Sequence, residues 1–124
     1  MADCGFSDIE NVLKEGYRKA RVPVFLVDVA NVTGALRYHY ALKDMRPIDS
    51  LDENTIPILF IHGSEDDFIL PKNSEDMARR TKGYHELHLN PEAGHAESIL
   101  IAPEQYEAYV EAFLSNRKTN TVDG

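Results

Sequence analysis

The chain has 124 residues, 43% hydrophobic and 27% charged, which is the size and composition of one soluble globular domain able to bury a core. Against 21 Asp and Glu stand 13 Lys and Arg, a formal net charge of −8, so a phosphate backbone is repelled over most of the surface and nucleic acid is not an expected partner. No apolar run is long enough to cross a bilayer, no signal-type leader is recognisable, and the single cysteine, Cys4, has no partner for an internal disulfide, so the expected location is cytoplasmic, without membrane insertion.

In chain order, Met1 to Gly5 is too short to define a strand by itself, and Ser7-Asp8-Ile9-Glu10 has the Ser-x-x-Glu spacing of a capping box, predicting a helix from about Ser7 to Arg18. Residues 22–30 stay ambiguous. Their β-branched content suits a buried strand, while Phe25, Val29, Val32 and Leu36 recur at helical spacing. Pro47 and the polar stretch Asp49 to Thr55 interrupt the chain before Ile56-Pro57-Ile58-Leu59-Phe60-Ile61, a continuous apolar run of the kind found in fully buried parallel strands. A helix is expected from about Pro71 to Lys82, with Met77 and Ala78 inward and Gly83 as its stop, then a short strand from Tyr84 to Leu89. The last helix opens with Pro103 at its first position, shows Tyr106, Val110, Phe113 and Leu114 on one face, and gives way to a polar tail over residues 117–124. Strand, helix, strand, helix in the second half implies right-handed crossovers: an α/β fold with a small parallel sheet flanked by helices.

Two loops follow predicted strands, where open α/β sheets place their ligands. The first runs from His62 to Ile69 and contains Glu65, Asp66 and Asp67; the second, Pro91 to Glu97, contains Gly94-His95. An acid on one loop that accepts the Nδ1 proton of a histidine on the next fixes the tautomer and frees Nε2 to act as a base. His85 and His88 fall within a short strand and read as surface or packing residues, and His62 as a strand end and its turn. His62, Glu65, Asp66 and His95 make a ligand set only on paper: no His-x-x-x-His or Cys-x-x-Cys spacing supports it, and no metal is expected.

The pattern His62-Gly63-x-x-Asp66-x-x-Ile69, followed by Gly94-His95, with an apolar strand before and an amphipathic helix after, resembles the closing section of α/β-hydrolases of the esterase and lipase type. The likeness is strongest from Ile56 to Leu114. It implies that residues 1–116 form the C-terminal part of an α/β-hydrolase domain, that Ala2 to Gly5 end its sixth strand, and that residues about 18–46 are a cap-like insertion over the active site, which favours helix for the ambiguous segment. It implies Asp66 as the acid and His95 as the base of a catalytic triad, in the family's order of Ser, Asp, His, with Glu65 and Asp67 as the competing acids. No cofactor is implied.

The departure is at the nucleophile. Such an enzyme places Gly-x-Ser-x-Gly on a sharp turn upstream of the acid. Gly5-Phe6-Ser7-Asp8-Ile9 lacks the second glycine, its serine is accounted for as a helix cap, and Cys4 has no flanking elbow. The expectation is therefore a fragment of a serine hydrolase acting on ester or related acyl bonds, inactive alone. A homo-oligomer, or association with a missing N-terminal portion, would cover the exposed edge of its sheet. The alternatives are a non-catalytic binding or interaction module that keeps the fold, and an acyltransferase using the same triad.

Overall fold

The computed structural model describes residues 1–120, with side chains through Asn116; the last four residues of the expected polar tail lie outside the described residues. Its sheet has three parallel strands in the order β1 (Ala2–Asp3), β2 (Ile58–Gly63), β3 (His85–Asn90). The central strand pairs with β3 along its full length, from Ile58 opposite His85 to Gly63 opposite Asn90, and with β1 at Ala2–Phe60 and Asp3–Ile61. Between β1 and β2 lie α1 (Ile9–Lys19), α2 (Phe25–Tyr38) and 3-10 turns at Leu42–Asp44 and Pro47–Ser50. Helix α3 (Lys72–Arg80) links β2 to β3, and a single turn, α4 (Ser98–Ile101), precedes α5 (Pro103–Asn120).

The central strand is apolar from Ile58 to Ile61 because both of its faces are covered. Alternation sends Phe60 to one side, where it packs with Leu51 and with Met77 and Ala78 of α3. Leu59 and Ile61 go to the other, against Tyr106 and Phe113 of α5. Two separate hydrophobic clusters thus sandwich one strand, the arrangement that fixes a parallel sheet between helical layers.

Several local expectations give way to tertiary contacts. Ser7 does not cap α1: Asp8 is the cap, accepting from the Asn11 amide at 3.1 Å, while Ser7 Oγ donates to Asn73 Oδ1 at 2.8 Å and ties the start of the helix to α3. The ambiguous segment is helical, as α2, and Phe25, Val29, Val32 and Leu36 do recur along it. That stripe faces outward, with Leu36 78% exposed, and the buried residue of α2 is Val27. Gly83 is not the stop of α3, which ends at Arg80 with Thr81 extended after it. Glycine is required at 83 because an added Cβ would meet the Asn54 carbonyl oxygen at 2.9 Å. On α5, Leu114 turns to solvent and Tyr109 takes its place in the core, its ring stacked 3.8 Å from that of His88. α5 continues as helix past Arg117, where the polar tail was expected to begin.

Candidate active site

The site is built where β2 and β3 end. Ser64 donates from its amide to the Asn90 carbonyl at 2.9 Å and from its hydroxyl to the same oxygen at 2.7 Å, and the Glu65 amide donates to the Ala93 carbonyl at 3.0 Å. The loop after β2 is therefore bonded to the loop after β3. Gly63 makes the approach possible: a Cβ there would sit 2.2 Å from the Ala93 oxygen and 2.4 Å from the Gly94 oxygen, closer than any real contact. The second loop is itself tightly wound. Glu92 and Ala96 take positive φ, and Gly94 donates its amide to Glu97 Oε2 at 3.0 Å.

On this joined backbone His95 Nδ1 lies 2.8 Å from Asp66 Oδ2. The carboxylate only accepts at that distance, so Nδ1 carries the hydrogen and Nε2 is left with its lone pair. Asp66 is enclosed, with Oδ1 accepting from the amides of Phe68 at 3.0 Å and Ile69 at 2.8 Å. Burial pushes the Asp66 carboxyl toward the neutral form. The hydrogen bond from His95 and those from the Ile69 and Phe68 amides outweigh it and hold the group below the ordinary carboxylate range. His95, in contrast, is open to solvent, and the exposed ring of Phe68 meets it edge to face at 5.1 Å. Of the three neighbouring acids only Asp66 touches His95. Glu65 and Asp67 are exposed, and the Asp67 backbone carbonyl accepts from Lys19 Nζ.

Two further groups sit at this edge. Cys4, the residue after β1, is buried at φ 48° with its sulfur accepting from the Ala96 amide at 3.2 Å; burial raises the thiol pKa, which keeps the sulfur protonated and a poor nucleophile. His62 was assigned to a strand end by its sequence position; it lies in β2, fully enclosed, bonded to Ser74 Oγ at 2.6 Å through Nδ1 and to the Ile69 carbonyl at 2.7 Å through Nε2. The signal that could have found it is β2's alternation, which puts residue 62 on the same buried face as Ile58 and Phe60.

Cys4, His62 and Asp66 bring one donor atom each within 4.8 Å of one another, a grouping a cation could occupy. The donors are already committed. Nε2 of His62 faces a carbonyl and so presents a hydrogen, not a lone pair, and Asp66 Oδ2 accepts from His95, so the cluster is a hydrogen-bond network that does not fit a metal without being rebuilt. Among the described residues Nε2 of His95 makes no hydrogen bond to a hydroxyl or thiol.

The chain is 28% identical over 123 residues to a protein of Bacillus subtilis (strain 168) described as "Uncharacterized protein YqkD", covering 98% of this chain and 40% of that one. It therefore spans about two-fifths of the length of the curated relative it matches. Among solved structures it resembles MGS-MChE2, an alpha/beta hydrolase enzyme from the metagenome of sediments of the lagoon of Mar Chica, Morocco, with a TM-score of 0.55 and 19% identity over 73% of this chain and 45% of that one. At that identity the likeness speaks to the fold, and it agrees with the parallel sheet between helical layers. The model of the dienelactone hydrolase family matches residues 22–120, which include β2, both loops and the helices that cover them, and the chain belongs to that family within the α/β-hydrolases.

Proposed function

We propose that this chain supplies the acid, Asp66, and the base, His95, of a serine hydrolase that cleaves ester or related acyl bonds, with the nucleophile contributed by a segment preceding residue 1 of this sequence. The observation that carries the reading is the 2.8 Å hydrogen bond from His95 Nδ1 to an enclosed Asp66, with Nε2 facing solvent. In that geometry Nε2 takes the proton of an attacking hydroxyl and later returns it to the leaving group, while Asp66 keeps the ring in the productive tautomer and stabilises the imidazolium. Phe68 forms one wall beside the base, suited to an apolar portion of an acyl substrate.

The decisive experiment is the coding sequence immediately upstream of Met1. An in-frame Gly-x-Ser-x-Gly supports the reading, and the longer protein should then lose at least a thousandfold in ester turnover on His95→Ala. Unchanged turnover in that variant would remove His95 from the mechanism.

A second reading, an association module built on the same fold, is favoured by α2. Phe25, Val29, Val32 and Leu36 line one outward stripe of it, each about half exposed or more. A second copy of this chain is the partner proposed for that stripe.

A further inference from the structure

A histidine sealed in a core is costly unless both ring nitrogens are satisfied. His62, 0% exposed, has both satisfied, and the partners define its state. The Ile69 carbonyl, 2.7 Å from Nε2, can only accept, so Nε2 bears the proton; Nδ1 then accepts from the Ser74 hydroxyl at 2.6 Å. Ile69 thus has its carbonyl held by His62 while its own amide donates to Asp66 Oδ1 at 2.8 Å. The same Nε2 lies 3.1 Å from Asp66 Oδ2, the oxygen that accepts from His95, so the N–H edge of the buried ring borders the same carboxylate oxygen as the base. Packing by itself would be served as well by leucine at this position of β2. It gives no reason for a polar ring whose proton is directed at the turn that carries the acid.

We propose that His62 is a positioning residue for the acid–base pair: with its tautomer set by the Ile69 carbonyl and its ring held by Ser74, it clamps Ile69 and thereby holds the Asp66 carboxylate in line with His95. The line runs from α3 through β2 to the two loops: Ser74, His62, Ile69, Asp66, His95. Among the described residues the Cys4 sulfur also lies within 4.8 Å of His62 and Asp66, and it accepts from the Ala96 amide. The proposal rests on the reading of Asp66 and His95 as acid and base.

The test is long-range proton–nitrogen NMR of the imidazoles in the full chain, with the Asp66 carboxyl followed by carbon NMR during acid titration. In the wild type His62 is expected in the Nε2–H form and His95 in the Nδ1–H form. His62 in the Nδ1–H form would overturn the proposal before any variant is made. His62→Phe keeps a ring of similar size and removes both polar contacts. With the fold intact by near-UV circular dichroism, His95 should lose its Nδ1–H preference and the Asp66 midpoint should rise by about one pH unit. His62→Gln, whose amide can reach the Ile69 carbonyl, should restore both signals. A folded His62→Phe with His95 and Asp66 unchanged overturns the clamp. Where that variant does not fold, Ser74→Ala decides, since it leaves Nδ1 without its donor and frees the ring to shift: an unchanged Asp66 midpoint in it overturns the proposal, and a raised one supports it. A failure of the hydrolase reading would look different, as a longer protein without ester turnover in which the tautomer coupling persists.

Discussion

Asp66 is enclosed while His95, bonded to it at 2.8 Å, stands in solvent. The acid is thereby shielded from competition by water and the base remains accessible to a reactant. The asymmetry has a consequence for stability. Because the folded Asp66 carboxyl titrates below its ordinary value of 3.8, its contribution is fully present above that value and is lost as the pH falls through the lower folded one. Urea unfolding between pH 7 and pH 3 should therefore show a steeper acid loss for the wild type than for Asp66→Asn. Parallel curves would mean that the carboxyl titrates alike in folded and unfolded chains.

Assayed alone, the chain should hydrolyse an activated ester no faster than a general-base background. One oxyanion donor is worth about 3 kcal/mol, and covalent catalysis needs a nucleophile beside Nε2 as well. The two local candidates are turned elsewhere, Ser7 Oγ toward Asn73 and Cys4 toward Ala96. Turnover abolished by Cys4→Ala would assign the attack to the thiol, and turnover abolished by Ser7→Ala would assign it to that hydroxyl.

Gly63→Ala should be among the most damaging single changes. The added methyl would meet two backbone oxygens, at 2.2 and 2.4 Å, and backbone cannot swing aside as a side chain can. We expect a loss of about 3 kcal/mol or more by urea denaturation. The imidazole signals of His95 should broaden or split as the two loops part.

Two phenylalanines near one another in sequence should behave oppositely. Phe60, 1% exposed at the centre of the α3-side cluster, should cost about 3–5 kcal/mol on truncation to Ala. Phe68, 68% exposed, should cost within about 0.5 kcal/mol, while the ring protons of His95 shift as the edge-to-face contact at 5.1 Å is lost. An unmoved His95 spectrum in Phe68→Ala would show that the contact is not populated in solution.

The outward stripe on α2 should make the chain self-associate at micromolar concentration. Light scattering coupled to size-exclusion chromatography should report a dimer or larger species that Val32→Glu together with Leu36→Glu returns to monomer. A wild type that stays monomeric over the same range would leave the stripe to another partner.

What could be read from the sequence followed a rule about burial. β2 was legible because an apolar run bounded by polar stretches has few other destinies, and α5 because Pro103 marks a helix start whatever surrounds it. The juxtaposition of the two loops was legible from strand order. The misread details are those that distant residues decide. Ser7 has the spacing of a cap but is drawn off by Asn73, 66 positions away. Gly83 looks like a helix stop and is instead kept by the Asn54 carbonyl. The stripe on α2 has the period of a helix, and its outward direction could not be read, since periodicity says that a helix has an apolar side and not what lies against it. α4, a single turn, carries too little pattern to be seen. His62 sits at the strand end where its position in the sequence places it, but its role is not local: its contacts are with Ser74 and Ile69.

Two of the bonds that Gly63 permits between the loops run between main-chain atoms, from the amides of Ser64 and Glu65 to the carbonyls of Asn90 and Ala93. Side-chain replacements elsewhere at the rim leave those bonds in place. Asp66 and His95 can therefore keep their alignment while the side chains around them are exchanged. By the same reasoning the two side chains are in register in the free chain, with no bound molecule needed to align them.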